Sequence, residues 1–149
     1  MAAFIAAGAG FLLAVLWFDL MFDVQVVRGA SGEPSERVLS SIANYYRRVT
    51  TTARPMNRLV AAVMLATLGA IIAQIARGER PQWVGWASLV LAGAPILLAA
   101  GRTVPNAVRL GARADPIQRQ AELAKSIWLD HLLCIAAILA LLIIQLSFA

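Results

Sequence analysis

Four long apolar segments run along the chain, and short polar stretches separate them. The apolar segments cover residues 2–22, 55–76, 82–104 and 126–148. Because an α-helix rises about 1.5 Å per residue, each segment is long enough to cross a hydrocarbon core roughly 30 Å thick. The pattern predicts an all-α fold: an integral membrane four-helix bundle in which residues 1–149 form a single four-span domain.

The first loop has a different pattern. From 35 to 50, apolar side chains recur at spacings of three and four residues, which is the period of an amphipathic helix. Its apolar positions are Val38, Leu39, Ile42, Tyr45, Tyr46 and Val49. We therefore expect an interfacial amphipathic helix in the first cytoplasmic loop, lying either on lipid headgroups or under the bundle as a lid.

Prolines and a polar cap predict the ends of the later helices. Pro95 lies in the middle of the third segment, so we expect a kink there and an exit from the membrane near Val104. The fourth helix is predicted to begin with Asp115 as its cap and Gln118 reaching back. With no proline or glycine after Pro116, it should run to the chain end, with its first three turns in water.

Composition and charge fix the class of protein and its orientation. Hydrophobic residues make up 60% of the chain and charged residues 14%, with a net charge of +5. Arginines and lysines concentrate in two of the loops, including Arg28 in the first, whereas the middle turn holds Arg77 and Arg80. By the positive-inside rule we expect a multi-pass protein of an inner or plasma membrane with both termini outward. We expect the lipid bilayer and no nucleic acid among its partners.

The chain contains one cysteine, Cys134, and one histidine, His131. These numbers exclude an internal disulfide and the Cys/His clusters that build zinc, iron–sulfur or bis-histidine haem sites within one chain. A metal site formed by Asp19, Asp23 and His131 would have suitable ligand types, but no known spacing supports it. We therefore predict neither a metal nor a cofactor.

The predicted topology brings the polar ends of all four spans to one side of the membrane. We expect a polar cluster at this cytoplasmic boundary, formed by Asp19, Asp23, Asn57, Arg58, Arg102, Asn106, Asp130 and His131. Charges at this depth need partners, so Asp19 should pair with Arg58 or Arg102, and Asp130 with a neighbouring arginine. The cluster is either a set of ordinary interfacial residues or a polar pocket around His131.

Two short motifs resemble a known family. Val-Pro-Asn-Ala-Val-Arg-Leu at 104–110 and Trp-Leu-Asp-His at 128–131 are similar to motifs of the four-helix membrane family that includes the fungal anthrone oxygenases. Cys134 stands where that family has an arginine. The resemblance implies a four-span fold and chemistry on a lipophilic aromatic or quinol-like substrate. In such an enzyme His131 would act as the base, while Asn106 and Arg109 would hold the resulting oxyanion.

Two functions follow from these patterns. The favoured one is a non-catalytic accessory or interaction subunit, because a long helix projecting from the membrane and spans rich in small residues suit other membrane subunits or a homo-oligomer. The alternative is a cofactor-independent or metal-assisted, oxygenase-like membrane enzyme. Proton or ion movement is less favoured, since Gln74 and Gln145 are the strongly polar residues in the opposite halves of the spans.

Overall fold

The computed structural model describes residues 1–27, 34–79 and 81–148, without the side chain of Arg54. Within these ranges the chain is helical and contains no strand, so the all-α prediction is confirmed. The helices are α1 (Ala2–Asp23), α2 (Glu36–Arg47), α3 (Arg54–Ala76), α4 (Gln82–Leu98), α5 (Val104–Ala112) and α6 (Ile117–Ser147). Arg28 and Arg80, which entered the charge argument, lie outside the described residues.

Four helical segments are long and apolar enough to cross a membrane, which is the pattern of a multi-pass membrane protein. They are Ala2–Val26, Pro55–Ala76, Gln82–Ala112 and Ile117–Ser147. The third is longer than predicted, because the chain stays helical beyond Val104. Pro105 lies in the first turn of α5, where its missing N–H costs nothing, so it starts a helix there instead of ending one.

A wide helical turn joins α4 to α5. Pro95 lies inside α4, and the helix continues past it to Leu98 before a π-helical turn, Ala99–Thr103. Such turns insert one extra residue and often occur at functional sites. A second π-helical turn, Arg48–Thr52, joins α2 to α3. Both turns lie at the end of the bundle that holds α2.

The predicted cap of the fourth helix is wrong. α6 begins at Ile117 and has no side-chain cap. The Asp115 carboxylate instead accepts two hydrogen bonds from Arg109, at 2.6 and 2.8 Å. This contact and the guanidinium charge hold the pKa of Asp115 below its usual value. The Asp115 carbonyl accepts from Gln120 Nε2 at 2.7 Å.

Two apolar cores follow one another along the bundle. The span core is built around Ile5, Ile71 and Leu141, all fully buried. The end core packs α2 and α5 against the first turns of α6, around Leu39, Leu110, Leu123, Ala124 and Ile127. The first turns of α6 therefore cover helices of the same chain, where the sequence had predicted a projection into water.

A glycine permits the close packing of α2 on α5. A Cβ added at Gly111 would lie 2.9 Å from the backbone nitrogen of Arg47 and 3.0 Å from its Cα. Real Cβ atoms do not approach backbone this closely without a shift of one helix. Gly111 thus fixes how near α2 lies to the end of the bundle, and with it the position of Tyr45 and Tyr46.

Candidate functional site

A buried hydrogen-bonded chain joins α1, α2 and α6. His131 Nδ1 lies 2.6 Å from Oδ2 of Asp23, the last residue of α1. The hydroxyl of Tyr46 donates to the other oxygen of the same carboxylate at 2.5 Å. Asp23, Tyr46 and His131 are 1%, 3% and 7% exposed. A phenol and the only imidazole of the chain therefore both contact one buried carboxylate.

A second carboxylate approaches the histidine from one helical turn away. Asp19 lies four residues before Asp23 and so on the same side of α1. Its Oδ1 accepts a hydrogen bond from the Tyr45 hydroxyl at 2.6 Å, and its Oδ2 lies 3.9 Å from His131 Nε2. The latter distance is too long for a direct hydrogen bond. We call Asp19, Asp23, Tyr45, Tyr46 and His131 the boundary site.

The hydrogen bonds assign a role to each ring nitrogen of His131. With Nδ1–H donating to Asp23, the neutral imidazole keeps its basic lone pair on Nε2, the nitrogen that faces Asp19. A carboxylate that orients an imidazole in this way is the arrangement that activates histidine bases in many hydrolases. The Asp23 contact therefore orients the ring, and Nε2 is the proton acceptor of its neutral form.

The two tyrosines act as neutral donors. Burial, followed by the nearby negative charges of Asp19 and Asp23, raises the pKa of both hydroxyls above the usual value. Tyr45 also stacks on Phe22, with ring centroids 3.9 Å apart and planes 9° from parallel. The phenols thus remain protonated and connect α2 to the two aspartates of α1.

A second polar group lies where α4 and α5 meet α6. Asp130, which is fully buried, forms an ion pair with Arg102 at 3.0 Å and accepts from the Thr103 hydroxyl at 3.0 Å. Arg102 and Thr103 belong to the π-helical turn that follows α4. Ser126 accepts from Arg102 Nε at 3.2 Å and contacts Asn106 Nδ2 at 3.4 Å. The predicted pairing of Asp130 with a nearby arginine is thus present.

The predicted cluster divides into three parts. Asp19, Asp23 and His131 come together in the boundary site, and Arg102, Asn106 and Asp130 form the second group. Asn57 and Arg58 are exposed on α3, and Asn57 Nδ2 donates to the Thr50 carbonyl at 2.9 Å. Asp19 contacts Tyr45 and His131 in place of the predicted arginine, because α2 supplies a hydroxyl directly above it.

Tyr45 and Tyr46 are the residues of the boundary site that the sequence analysis missed. The helical period correctly predicted that both lie on the apolar side of α2, but the prediction did not consider their hydroxyl groups. Buried tyrosine hydroxyls usually find a partner. Two consecutive tyrosines on a helix that follows a carboxylate pair at a spacing of four residues are a signal for this contact.

Arg109 lies apart from the boundary site. Its guanidinium is engaged by Asp115 and its side chain is 52% exposed. The described hydrogen bonds of Asn106 likewise lead to Ser126. The structure therefore does not bring Asn106 or Arg109 to His131 through any described hydrogen bond. The described hydrogen bond of the imidazole goes to Asp23.

The donor set does not form a metal centre. Among the described residues, no group of three or more His, Cys, Asp or Glu side chains could hold a metal ion. His131 Nδ1 and Asp23 Oδ2 face each other at hydrogen-bonding distance, whereas ligands of one ion would both point at that ion.

An open cleft reaches one wall of the boundary site. It has a volume of about 530 Å³ and lies against α2, the turn that follows α2, and the end of α1. We call it the arginine cleft, and its lining includes Phe22, Ser41, Asn44, Tyr45, Arg47 and Arg48. Tyr45 belongs both to this cleft and to the boundary site, so it separates Asp19 from the open space.

Comparisons with protein-family models, with curated proteins and with solved structures found no match to this chain.

Proposed function

We propose that this chain is a small membrane enzyme in which His131 takes a proton from a lipophilic substrate at the end of the bundle that holds α2. The contact between His131 Nδ1 and Asp23 Oδ2 at 2.6 Å carries the proposal. It orients the ring, favours the tautomer with a basic Nε2, and places negative charge where the imidazolium would form.

The cost of the arrangement supports a functional role. Two carboxylates and an imidazole lie within one buried cluster, and burying such groups is expensive even when they are paired. A structural link between helices needs no titratable group, as neutral amides serve equally well. Titratable groups brought together in a buried cluster of this kind are often found at functional sites.

The substrate class follows from the lipophilic surroundings and the family resemblance. An anthrone or a quinol carries an acidic C–H or O–H on a polycyclic or aromatic body that partitions into lipid. Removal of that proton by Nε2 leaves a delocalised anion, which dioxygen can oxidise. One anthrone and one dioxygen give one anthraquinone and one water, so the atoms balance. In this geometry the imidazolium, and not Arg109, stabilises the anion.

Oxygen uptake by the protein in lipid nanodiscs, with an anthrone or a quinol as substrate, tests the proposal. His131→Ala should reduce turnover by about 10²- to 10⁴-fold, the usual contribution of a positioned base. Arg109→Gln is the matched control and should leave turnover within about twofold of wild type, because its guanidinium contacts Asp115. Turnover unchanged in His131→Ala would exclude the proposed role.

We further propose that α2 lies at the cytoplasmic interface of an inner or plasma membrane, with both termini outward. The charge bias of the loops supports this orientation, and the exposed arginines of α2 suit a headgroup region. Cysteine labelling in a Cys134→Ser background tests it. Arg77→Cys should react with an impermeant reagent from outside the cell, and Arg37→Cys only after permeabilisation; the reverse pattern would refute the orientation.

The accessory or interaction-subunit role predicted from the sequence is the competing proposal. A helix that projects into water would offer a surface to a partner, but in the fold the first turns of α6 cover α2 and α5. A particle of defined stoichiometry in mild detergent, together with unaltered substrate turnover in His131→Ala, would favour that role. A monomer at all detergent concentrations would exclude it.

A further inference from the structure

The arginine cleft is a second site that the proposed catalysis does not use. Its charged lining residues, Arg47 and Arg48, are both cationic and exposed, and Ser41 and Asn44 add neutral hydrogen-bonding groups. Phe22 and Tyr45, stacked on each other, supply an aromatic wall. The cleft therefore combines two positive charges, polar side chains and an apolar surface in one open space.

The end of a helix is normally a poor place for an anion, because its free carbonyl oxygens carry partial negative charge. Here the carbonyl groups at the end of α2 are occupied. The carbonyls of Tyr46 and Arg47 in α2 accept from Thr50 Oγ1 (2.6 Å) and Thr52 Oγ1 (3.4 Å). Those of Arg48 and Thr50, in the π-helical turn that follows, accept from Ala53 N (2.7 Å) and Asn57 Nδ2 (2.9 Å). These donors reduce the repulsion and leave the two arginines as the main electrostatic feature of the cleft.

The position of the cleft identifies its ligand class. It borders Phe22, one residue before the end of α1, and so lies at the end of a segment long enough to cross a membrane. We infer that the arginine cleft binds the phosphate headgroup of an anionic lipid, with Arg47 and Arg48 on the phosphate and the aromatic wall against the lipid backbone. Arginine is suited to phosphate because its planar guanidinium donates two parallel hydrogen bonds.

Titration of the purified full-length protein with phosphatidylglycerol, followed by native mass spectrometry from a zwitterionic detergent, tests this inference. An arginine near a membrane surface strengthens binding of anionic lipid by about 1 kcal/mol, so the double variant Arg47→Gln/Arg48→Gln should bind about thirtyfold more weakly than wild type. Arg37→Gln is the matched control, because Arg37 lies exposed on the same helix and outside the cleft lining. It should bind as wild type does.

Two further arms make the result decisive. Arg47→Lys/Arg48→Lys keeps the charge but loses the paired donors of the guanidinium, so its affinity should lie between those of wild type and the glutamine double variant. Inorganic phosphate should compete only at far higher concentration, since it cannot contact Phe22 and Tyr45. Equal affinity for inorganic phosphate and lipid, equal binding by wild type and the glutamine double variant, or equal loss in Arg37→Gln would each overturn the inference. The readout is binding, so it is independent of any turnover by His131.

Discussion

Two of the buried polar clusters among the described residues lie near opposite ends of the spans, and they are built on different principles. The glutamine cluster joins α3, α4 and α6 through Gln74, Ser88 and Gln145. Gln145 Nε2 donates to Gln74 Oε1 at 3.0 Å and to the Ser88 hydroxyl at 2.8 Å. The boundary site joins α1, α2 and α6 through aspartates, tyrosines and a histidine. The three residues of the glutamine cluster are, like Asp23 and His131, less than 10% exposed.

The difference lies in how each cluster satisfies its polar atoms. An amide carries both a donor and an acceptor, so two glutamines can satisfy each other without help from outside the spans. A carboxylate only accepts, so Asp19 and Asp23 need donors, and Tyr45, Tyr46 and His131 provide them. The glutamine cluster thus fastens spans together, whereas the boundary site requires α2 to dock on the bundle.

Removal of a carboxylate should have the largest effect. Asp23→Ala leaves the hydroxyl of Tyr46 and Nδ1 of His131 buried without their partner. Loss of one member of a buried pair costs about 3–5 kcal/mol of unfolding free energy. Tryptophan fluorescence during unfolding in mixed micelles measures this cost. A loss of unfolding free energy no greater than that in Gln145→Leu would contradict the proposed difference between the two clusters.

Displacement of α2 should come next. Gly111→Ala places a Cβ against the backbone of Arg47, and such overpacking costs about 1–3 kcal/mol. Gly93→Ala in α4 is the control: nothing lies within 4 Å of the added Cβ, so it should be neutral or slightly stabilising. The same unfolding assay compares the two variants. Equal stabilities would show that the close approach of α2 is not required.

A break in the glutamine cluster should cost less. Gln145→Leu removes the hydrogen bonds to Gln74 and Ser88 but fills the space with an apolar side chain. Hydrogen bonds between spans contribute about 0.6 kcal/mol on average and at most about 1.7 kcal/mol. The unfolding midpoint of this variant should therefore lie close to that of wild type. A loss of unfolding free energy as large as that in Asp23→Ala would show that both clusters contribute equally to stability.

The smallest effect concerns alkaline pH. Tyr45 and Tyr46 are the two tyrosines of the chain, and their pKa values are raised in the fold. Stability from the neutral phenols is therefore complete below about pH 10, the ordinary tyrosine pKa, and falls as pH rises above it. Phenolate absorbance should stay low in the folded protein at pH 11 and appear on unfolding. Full phenolate absorbance in the folded protein would contradict the buried contacts.

The length of the apolar segments and the repeat of apolar residues were sufficient to predict the four long helices and α2, because both depend on local geometry. They also placed Asp19, Asp23 and His131 at one end of the bundle. They did not predict the tyrosine contacts, the pairing of Arg109 with Asp115, or the continuation of the third segment to Ala112. These depend on which helices touch: α2 supplies the donors, and the π-helical turn orients Arg102 and Thr103 toward Asp130.

The imidazole of His131 offers the most direct test of the boundary site, because the chain contains one histidine. Nitrogen-15 NMR of histidine-labelled protein in nanodiscs reports which ring nitrogen carries the proton and whether it is hydrogen bonded. We predict protonated, hydrogen-bonded Nδ1 in wild type, the same signal in Gln145→Leu, and loss of that signal in Asp23→Asn. A mixture of tautomers like that of free imidazole, unchanged by Asp23→Asn, would contradict the account.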